Sequence, residues 1–248
     1  MENDFASLAF LSLTFLAAGM VKGITGMGLP TVAMGVLGSV MPPATAAALL
    51  VVPSIATNVW QFLAGPATRR LVRRLWPMML GIGLATALGS ALLVSADPTW
   101  SAFALGVALM VYACYALVAP ALSVAPRIEP WLSPVIGVAT GAITGATGVL
   151  VMPAVPYLQA LRLDKDELVQ ALGFSFTVST VALAAGLMLH HALQPDHLGL
   201  SALAVVPALA GMWLGQQIRT AISPLRFRQC LLLFLGLLGM EMASRPFI

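Results

Sequence analysis

Two short stretches of this chain combine residue types and spacing that could handle a charged solute inside apolar surroundings. They are Gly19-x3-Gly23-Ile24-Thr25-Gly26 and Gly141-x3-Gly145-Ala146-Thr147-Gly148. Glycine tolerates positive φ and leaves consecutive N–H groups open, and a helix that begins at such a break presents about half a positive charge there. That chemistry suits an anion. Lys22 stands directly before Gly23, and a lysine at the bilayer centre costs about 2.5–3.5 kcal/mol on insertion scales, which marks it as functional by default. Each position of the second stretch lies 122 residues after its counterpart, so one gapless shift aligns three glycines and a threonine while Lys22 falls on the neutral Thr144. Gly-x3-Gly is also a common helix-packing face, and a lysine can snorkel to an interface. The repeated Thr-Gly favours the solute-lining reading, with Lys22, Gly23, Thr25, Gly26, Gly145, Thr147 and Gly148 as candidates.

A second set follows each break. Pro53-Ser54-x2-Thr57-Asn58-x2-Gln61 lies in an apolar run, and the same shift leads to Ser175-x-Thr177-x-Ser179-Thr180. Asn58 and Gln61, three apart, share a helix face. Unpaired amides are costly in lipid, so both must face protein or a cavity. Asn58, Gln61, Ser175 and Thr177 therefore join the candidates. The competing role is structural: an interhelical hydrogen bond of about 0.6 kcal/mol, or hydroxyls that bond their own helix.

The elements that position these residues are membrane helices. The 248 residues are 60% hydrophobic and only 8% charged, against about 25% charged in soluble domains, and the mean hydropathy is +0.97. The lipid bilayer is the solvent for such a chain. The net charge of +3 sits in short loops, a sign of membrane orientation that gives no face for nucleic acid. Six stretches, 44–65, 76–95, 99–121, 166–191, 198–218 and 227–243, are long enough to cross a core of about 30 Å. Two further regions, 5–41 and 132–161, are predicted to be cut by the glycine breaks into shorter helices. Their later pieces, near 27–41 and 149–161, extend about 20–22 Å at 1.5 Å per residue, the length of half-helices. The acidic start, Met1-Glu2-Asn3-Asp4, lacks the positive region of a signal peptide, so the first apolar run is expected to remain.

Loop charge sets the orientation, because cytoplasmic loops carry the Lys and Arg excess. Arg69, Arg70, Arg73 and Arg74 place 66–75 inside. Counting onward puts 122–131, 162–165 and 219–228 inside, 96–98 and 192–197 outside, and both termini outside, provided 132–161 returns to the face it entered. Ten of the twelve Lys and Arg residues then face inward, with Lys22 and Arg245 as exceptions. The arginine-rich loop 66–75 is inside while its counterpart 188–197 is outside. The expected fold is thus all-α and polytopic, built from two inverted repeats, 1–125 and 126–248, each a broken, re-entrant-like hairpin followed by three transmembrane helices. Pro126 and Pro130 mark the seam. Repeats of this kind hold a solute near the midplane and rock about it.

The remaining polar groups point elsewhere. His190, His191, Asp196 and His197 cluster near an outer loop, where interfacial histidines, a metal site or proton coupling are the alternatives. Asp164 with Glu167 fits a capping box; Glu241 with Arg245 fits an i,i+4 pair. Trp76, Trp100 and Trp131 begin spans as interfacial anchors do. Cys114 and Cys230 form neither a disulfide framework nor a metal-ligand spacing. No paired nucleophile and base, cofactor motif or phosphate-binding loop is legible, which disfavours an enzyme or an ATP-driven pump. A gradient, or the anion's own charge in the membrane potential, remains as the drive.

Taken together, Gly19-Met20-Val21-Lys22-Gly23-Ile24-Thr25-Gly26-Met27-Gly28, Pro53 through Gln61, Gly141 through Pro153 and Gly173 through Thr180 resemble the TauE/SafE sulfite exporters. The resemblance extends over the whole chain in length and organisation. It implies a bacterial inner-membrane permease exporting sulfite or a small organosulfonate such as sulfoacetate, with no cofactor and no metal. The glycine cluster typical of that family after the break is replaced here by Gly28-Leu29-Pro30 and by Val149-Leu150-Val151. Spacing alone does not select sulfur. A carrier or channel for another small anion, a carboxylate or other oxyanion, proton-coupled or not, is the alternative.

Overall fold

The computed structural model describes residues 2–118, 122–219, 221 and 223–247. The terminal residues Met1 and Ile248, whose side of the membrane was predicted above, and the predicted end of the crossing at 121 fall outside that set. Among the described residues every regular element is helical: α1 (Glu2–Thr25), α2 (Leu29–Gly38), α3 (Pro43–Leu63), α4 (Thr68–Ser95), α5 (Pro98–Val118), α6 (Glu129–Thr147), α7 (Ala154–Ala160), α8 (Lys165–Leu189), α9 (Pro195–Leu203), α10 (Val205–Ile218) and α11 (Pro224–Ser244), with a 3-10 turn at Arg245–Phe247. Seven helices are long and apolar enough to cross a membrane.

Seven is one more than the sequence predicted, and the reason lies in the first hairpin. Its opening arm is not a half-helix: α1 runs 24 residues, about 36 Å, straight through Gly19 and Gly23. It stops only where Gly26 and Gly28 take φ of 78° and 106°, backbone that non-glycine residues rarely adopt. The second hairpin repeats the design, with α6 ending at Gly148, φ 73°. Only the return arms are short, α2 with 10 residues and α7 with 7. Two further boundaries differ from expectation. Helix α4 begins at Thr68 rather than 76 and so carries its arginines within it. The span predicted at 198–218 is interrupted at Ala204, between α9 and α10, where Pro207 has no N–H to offer the carbonyl of Leu203.

Cross-contacts place each loop at one of two ends. At one end, Arg70 pairs with Glu167, Arg74 Nε donates to Glu129 at 2.6 Å, and the Val124 N–H reaches the Ala160 carbonyl at 3.0 Å. The Gln170 side chain bonds the turn between α3 and α4 through Ala67, Phe62 and Gly65. At the opposite end, Arg245 donates to the Ser39 carbonyl, and the Ser201 hydroxyl donates to that of Leu49 at 2.7 Å. Each hairpin therefore leaves one end and returns to it. The arginine-rich loops share a single end.

Glycine seams bring the helices together. A Cβ at Gly19 or Gly23 would lie 2.1 Å or 2.2 Å from the carbonyl oxygens of Ala208 and Met212 on α10. Gly137 and Gly141 meet α4 at Met78 and Ile82 in the same way, at 2.2 Å and 2.5 Å. So α1 packs on α10, α6 on α4, α3 on α8 and α5 on α11. The 122-residue shift carries α1 onto α6, α4 onto α9 and α10, α3 onto α8 and α5 onto α11, and hence carries these contacts onto one another. Because a Cβ at Gly145 would sit 2.7 Å from the Gly89 and Thr86 backbones, G145L is expected to lower the unfolding free energy by at least the ~1–3 kcal/mol of an overpacked core. The melting temperature in detergent reads this; an unshifted value would remove the seam from the account.

Candidate functional site

The site is built from α1, α3 and α8. Lys22, in the last turn of α1, is only 3% exposed. Its ammonium donates to Thr57 Oγ1 at 3.2 Å and to Asn58 Oδ1. The direction of the Asn58 amide follows from its partners. The Thr180 hydroxyl donates its single proton to the Phe176 carbonyl at 2.7 Å, so it accepts from Ser54 Oγ, 3.0 Å away. Ser54 in turn accepts from Asn58 Nδ2 at 2.9 Å. That chain turns Asn58 Oδ1 toward Lys22. Both acceptors are neutral, and among the described residues no carboxylate pairs with the ammonium. A lysine has three donors, so one remains for a third partner.

That partner's space is a cavity of about 440 Å³ that has Lys22 in its wall. Gly23, Gly26 and Gln61 line it too, while Pro66, Asp166 and Arg219 belong to the arginine-rich end and open it there. Two cations and one carboxylate leave the lining net positive. Gln61 Nε2 closes the break onto α8, donating to the carbonyls of Gly26 at 3.0 Å and Val169 at 2.7 Å.

Of the eleven residues singled out from the sequence, Lys22, Gly23, Gly26 and Gln61 line this cavity, and Asn58 orients Lys22 from behind. The other six do not line it. Thr25 and Thr147 do the same local work at the two breaks: each hydroxyl donates to the carbonyl four residues back, Val21 at 2.9 Å and Ile143 at 2.7 Å. Each also accepts the N–H two residues on, from Met27 and Val149. Gly145 packs against α4, and Gly148 terminates α6. Thr177 bonds its own helix at the Gly173 carbonyl, 2.7 Å away. Ser175 is buried, and its hydroxyl has no partner among the described residues.

Two lining residues that the sequence did not single out for the site are Gln216 on α10 and Arg219 at its C-cap. The packing of α10 on α1 and α3 brings them to the cavity. Elsewhere, the capping box is absent: Asp164 occupies the N-cap position of α8 without a side-chain cap bond, and Glu167 turns to Arg70 instead. The Glu241–Arg245 pair forms at 2.9 Å. Among the described residues no group of three or more His, Cys, Asp or Glu side chains could hold a metal ion. Trp76, Trp100 and Trp131 are exposed on the outer surface of the bundle, where anchors belong.

The family model described as Sulfite exporter TauE/SafE matches residues 11–242. Neither the curated proteins nor the solved structures give a match.

Proposed function

The chain belongs to the sulfite exporter TauE/SafE family, whose members are membrane transporters of sulfite and related sulfur compounds and not enzymes, and on that premise we propose that it exports sulfite or a small organosulfonate by alternating access at the Lys22 cavity. One observation carries the reading: a buried ammonium whose partners are all neutral, facing a cavity with a donor to spare. An uncompensated buried charge is costly, and an anion is the missing compensation. The spare donor and the net positive lining then act on the solute's oxygens, replacing the water it sheds.

The arginine-rich end is the cytoplasmic one by the positive-inside rule, and the cavity's opening there suits a state that loads from inside. Both termini would then lie on the outer face of a bacterial inner membrane. The crosswise contacts α1–α10 and α6–α4, exchanged by the 122-residue shift, support two inverted halves, 1–125 and 126–248. Rocking one against the other would close the cavity inside and open it outside. A membrane potential negative inside favours the exit of an anion by about 2.3 kcal/mol per charge per 100 mV.

Thermal stabilisation of the purified protein against sulfite, sulfoacetate, taurine, thiosulfate, sulfate, acetate and chloride tests the substrate class, since a ligand binding only the folded state raises stability by RT ln(1 + [L]/Kd). Sulfite or a sulfonate should stabilise selectively, by about 2.7 kcal/mol at a hundred times its Kd. Stabilisation by acetate alone would keep the carrier and overturn the sulfur assignment.

A further inference from the structure

The break between α1 and α2 has a second face. Away from Lys22, a separate cavity of about 90 Å³ is lined by Thr25, Gly28, Thr31, Tyr112, Gln159 and Arg228 together with apolar side chains. Among the described residues no carboxylate contributes to it. Helix α2 begins here, with Gly28 at its N-cap and no side-chain cap bond. The first-turn N–H groups of a helix have no partner inside it, and together with the helix dipole they favour an anion.

Thr31 supplies an independent sign of a ligand. It is 1% exposed, it lines the cavity, and its hydroxyl has no hydrogen-bond partner among the described residues. A helical threonine ordinarily bonds the carbonyl four residues back, which here is that of Met27. That carbonyl lies in the break outside α2, and the Thr31 hydroxyl makes no bond to it. The hydroxyl is left for the cavity that Thr31 lines. A buried hydroxyl without a partner is costly. Arg228, partly buried on α11, pairs with no carboxylate among the described residues.

We propose that this cavity is a second site for a small inorganic oxyanion, held by the α2 N-terminus and the Thr31 hydroxyl and balanced in charge by Arg228. It differs from the Lys22 cavity in every charged residue that lines it, and it stands whether or not the transport reading does. An anion there ties the α1–α2 break to α5, α7 and α11. Its volume matches about three waters at the ~30 Å³ each takes in the liquid, so it suits a compact oxyanion and not a long organosulfonate.

Calorimetric titration of the purified full chain with sulfite and with sulfate tests this in the wild type, R228Q, T31V and K22Q. The expected result is a binding component that R228Q weakens at least tenfold, T31V weakens severalfold and K22Q leaves in place. The proposal is overturned if no such component exists, whether because K22Q removes all binding or because the folded protein binds neither anion. If the R228Q-sensitive component persists while K22Q changes nothing, this site stands and the Lys22 site falls. Melting temperatures show that each variant is folded.

Discussion

K22Q is expected to lose anion binding at the Lys22 cavity while melting at or above the wild-type temperature. The two effects share one cause. Lys22 is almost wholly buried, and its ammonium is met by one hydroxyl and one amide oxygen. A hydrogen bond to a charged group contributes about 1.5–3 kcal/mol, equivalent to roughly 10–150-fold in affinity at 1.4 kcal/mol per decade. Glutamine keeps a polar tip for Thr57 and Asn58 and removes the charge that neither can neutralise, so the folded state loses a desolvation penalty. Anion titration and thermal melting of the same sample read both effects. A folded K22Q that binds as the wild type does would take Lys22 out of the site, and a strongly destabilised one would make the lysine a structural group.

N58D is expected to match that loss of affinity and to raise the melting temperature further. The Asn58 amide oxygen already accepts from Lys22, so a carboxylate there forms an ion pair without moving α1 or α3. The Ser54 hydroxyl, now bonded to Thr180, can rotate to donate to it. Lys22 is then neutralised from within, and an incoming anion meets the repulsion of a carboxylate, which disfavours it by tenfold or more at about 1.4 kcal/mol per decade. Breaking one partner of a buried pair costs about 3–5 kcal/mol, so K22Q added to N58D should unfold far more readily than either alone. Undiminished anion affinity in N58D would show that the solute does not approach Lys22.

These effects rest on residues whose placement was legible in part. The three-residue spacing of Asn58 and Gln61 put both on one face, and the membrane environment required that face to be satisfied. Lys22 announced itself as a charge within an apolar run. What the sequence could not separate was packing from breaking. Gly19, Gly23, Gly26 and Gly28 look alike in the chain, yet the first two take a neighbouring helix backbone and leave α1 intact, while the last two take positive φ and end it. The difference depends on whether Ala208 and Met212 lie opposite, a fact of tertiary structure. For the same reason α1 was expected as a shorter piece, and Gln216 and Arg219 were not assigned to the site. The threonines at 25 and 147 were expected from their repetition; the structure gives both the same local role at the breaks, one that repetition alone would also conserve between the halves.

That the arginine-rich loops share one end was legible in the sequence, because where the chain turns is set by hydrophobic length and which loops share an end follows from parity. The second, smaller cavity was not. It takes residues from five helices, and its marker, the hydroxyl of Thr31, is unremarkable until it is seen buried in the cavity wall without a partner among the described residues.

Counterflow of labelled sulfite in proteoliposomes tests whether the Lys22 cavity serves an alternating-access carrier. Vesicles preloaded with unlabelled sulfite should accumulate label transiently, with a rate that saturates in sulfite, and vesicles bearing folded K22Q should behave as protein-free ones. Flux that rises linearly without counterflow, or counterflow that K22Q leaves intact, would contradict an alternating-access carrier built on the Lys22 cavity.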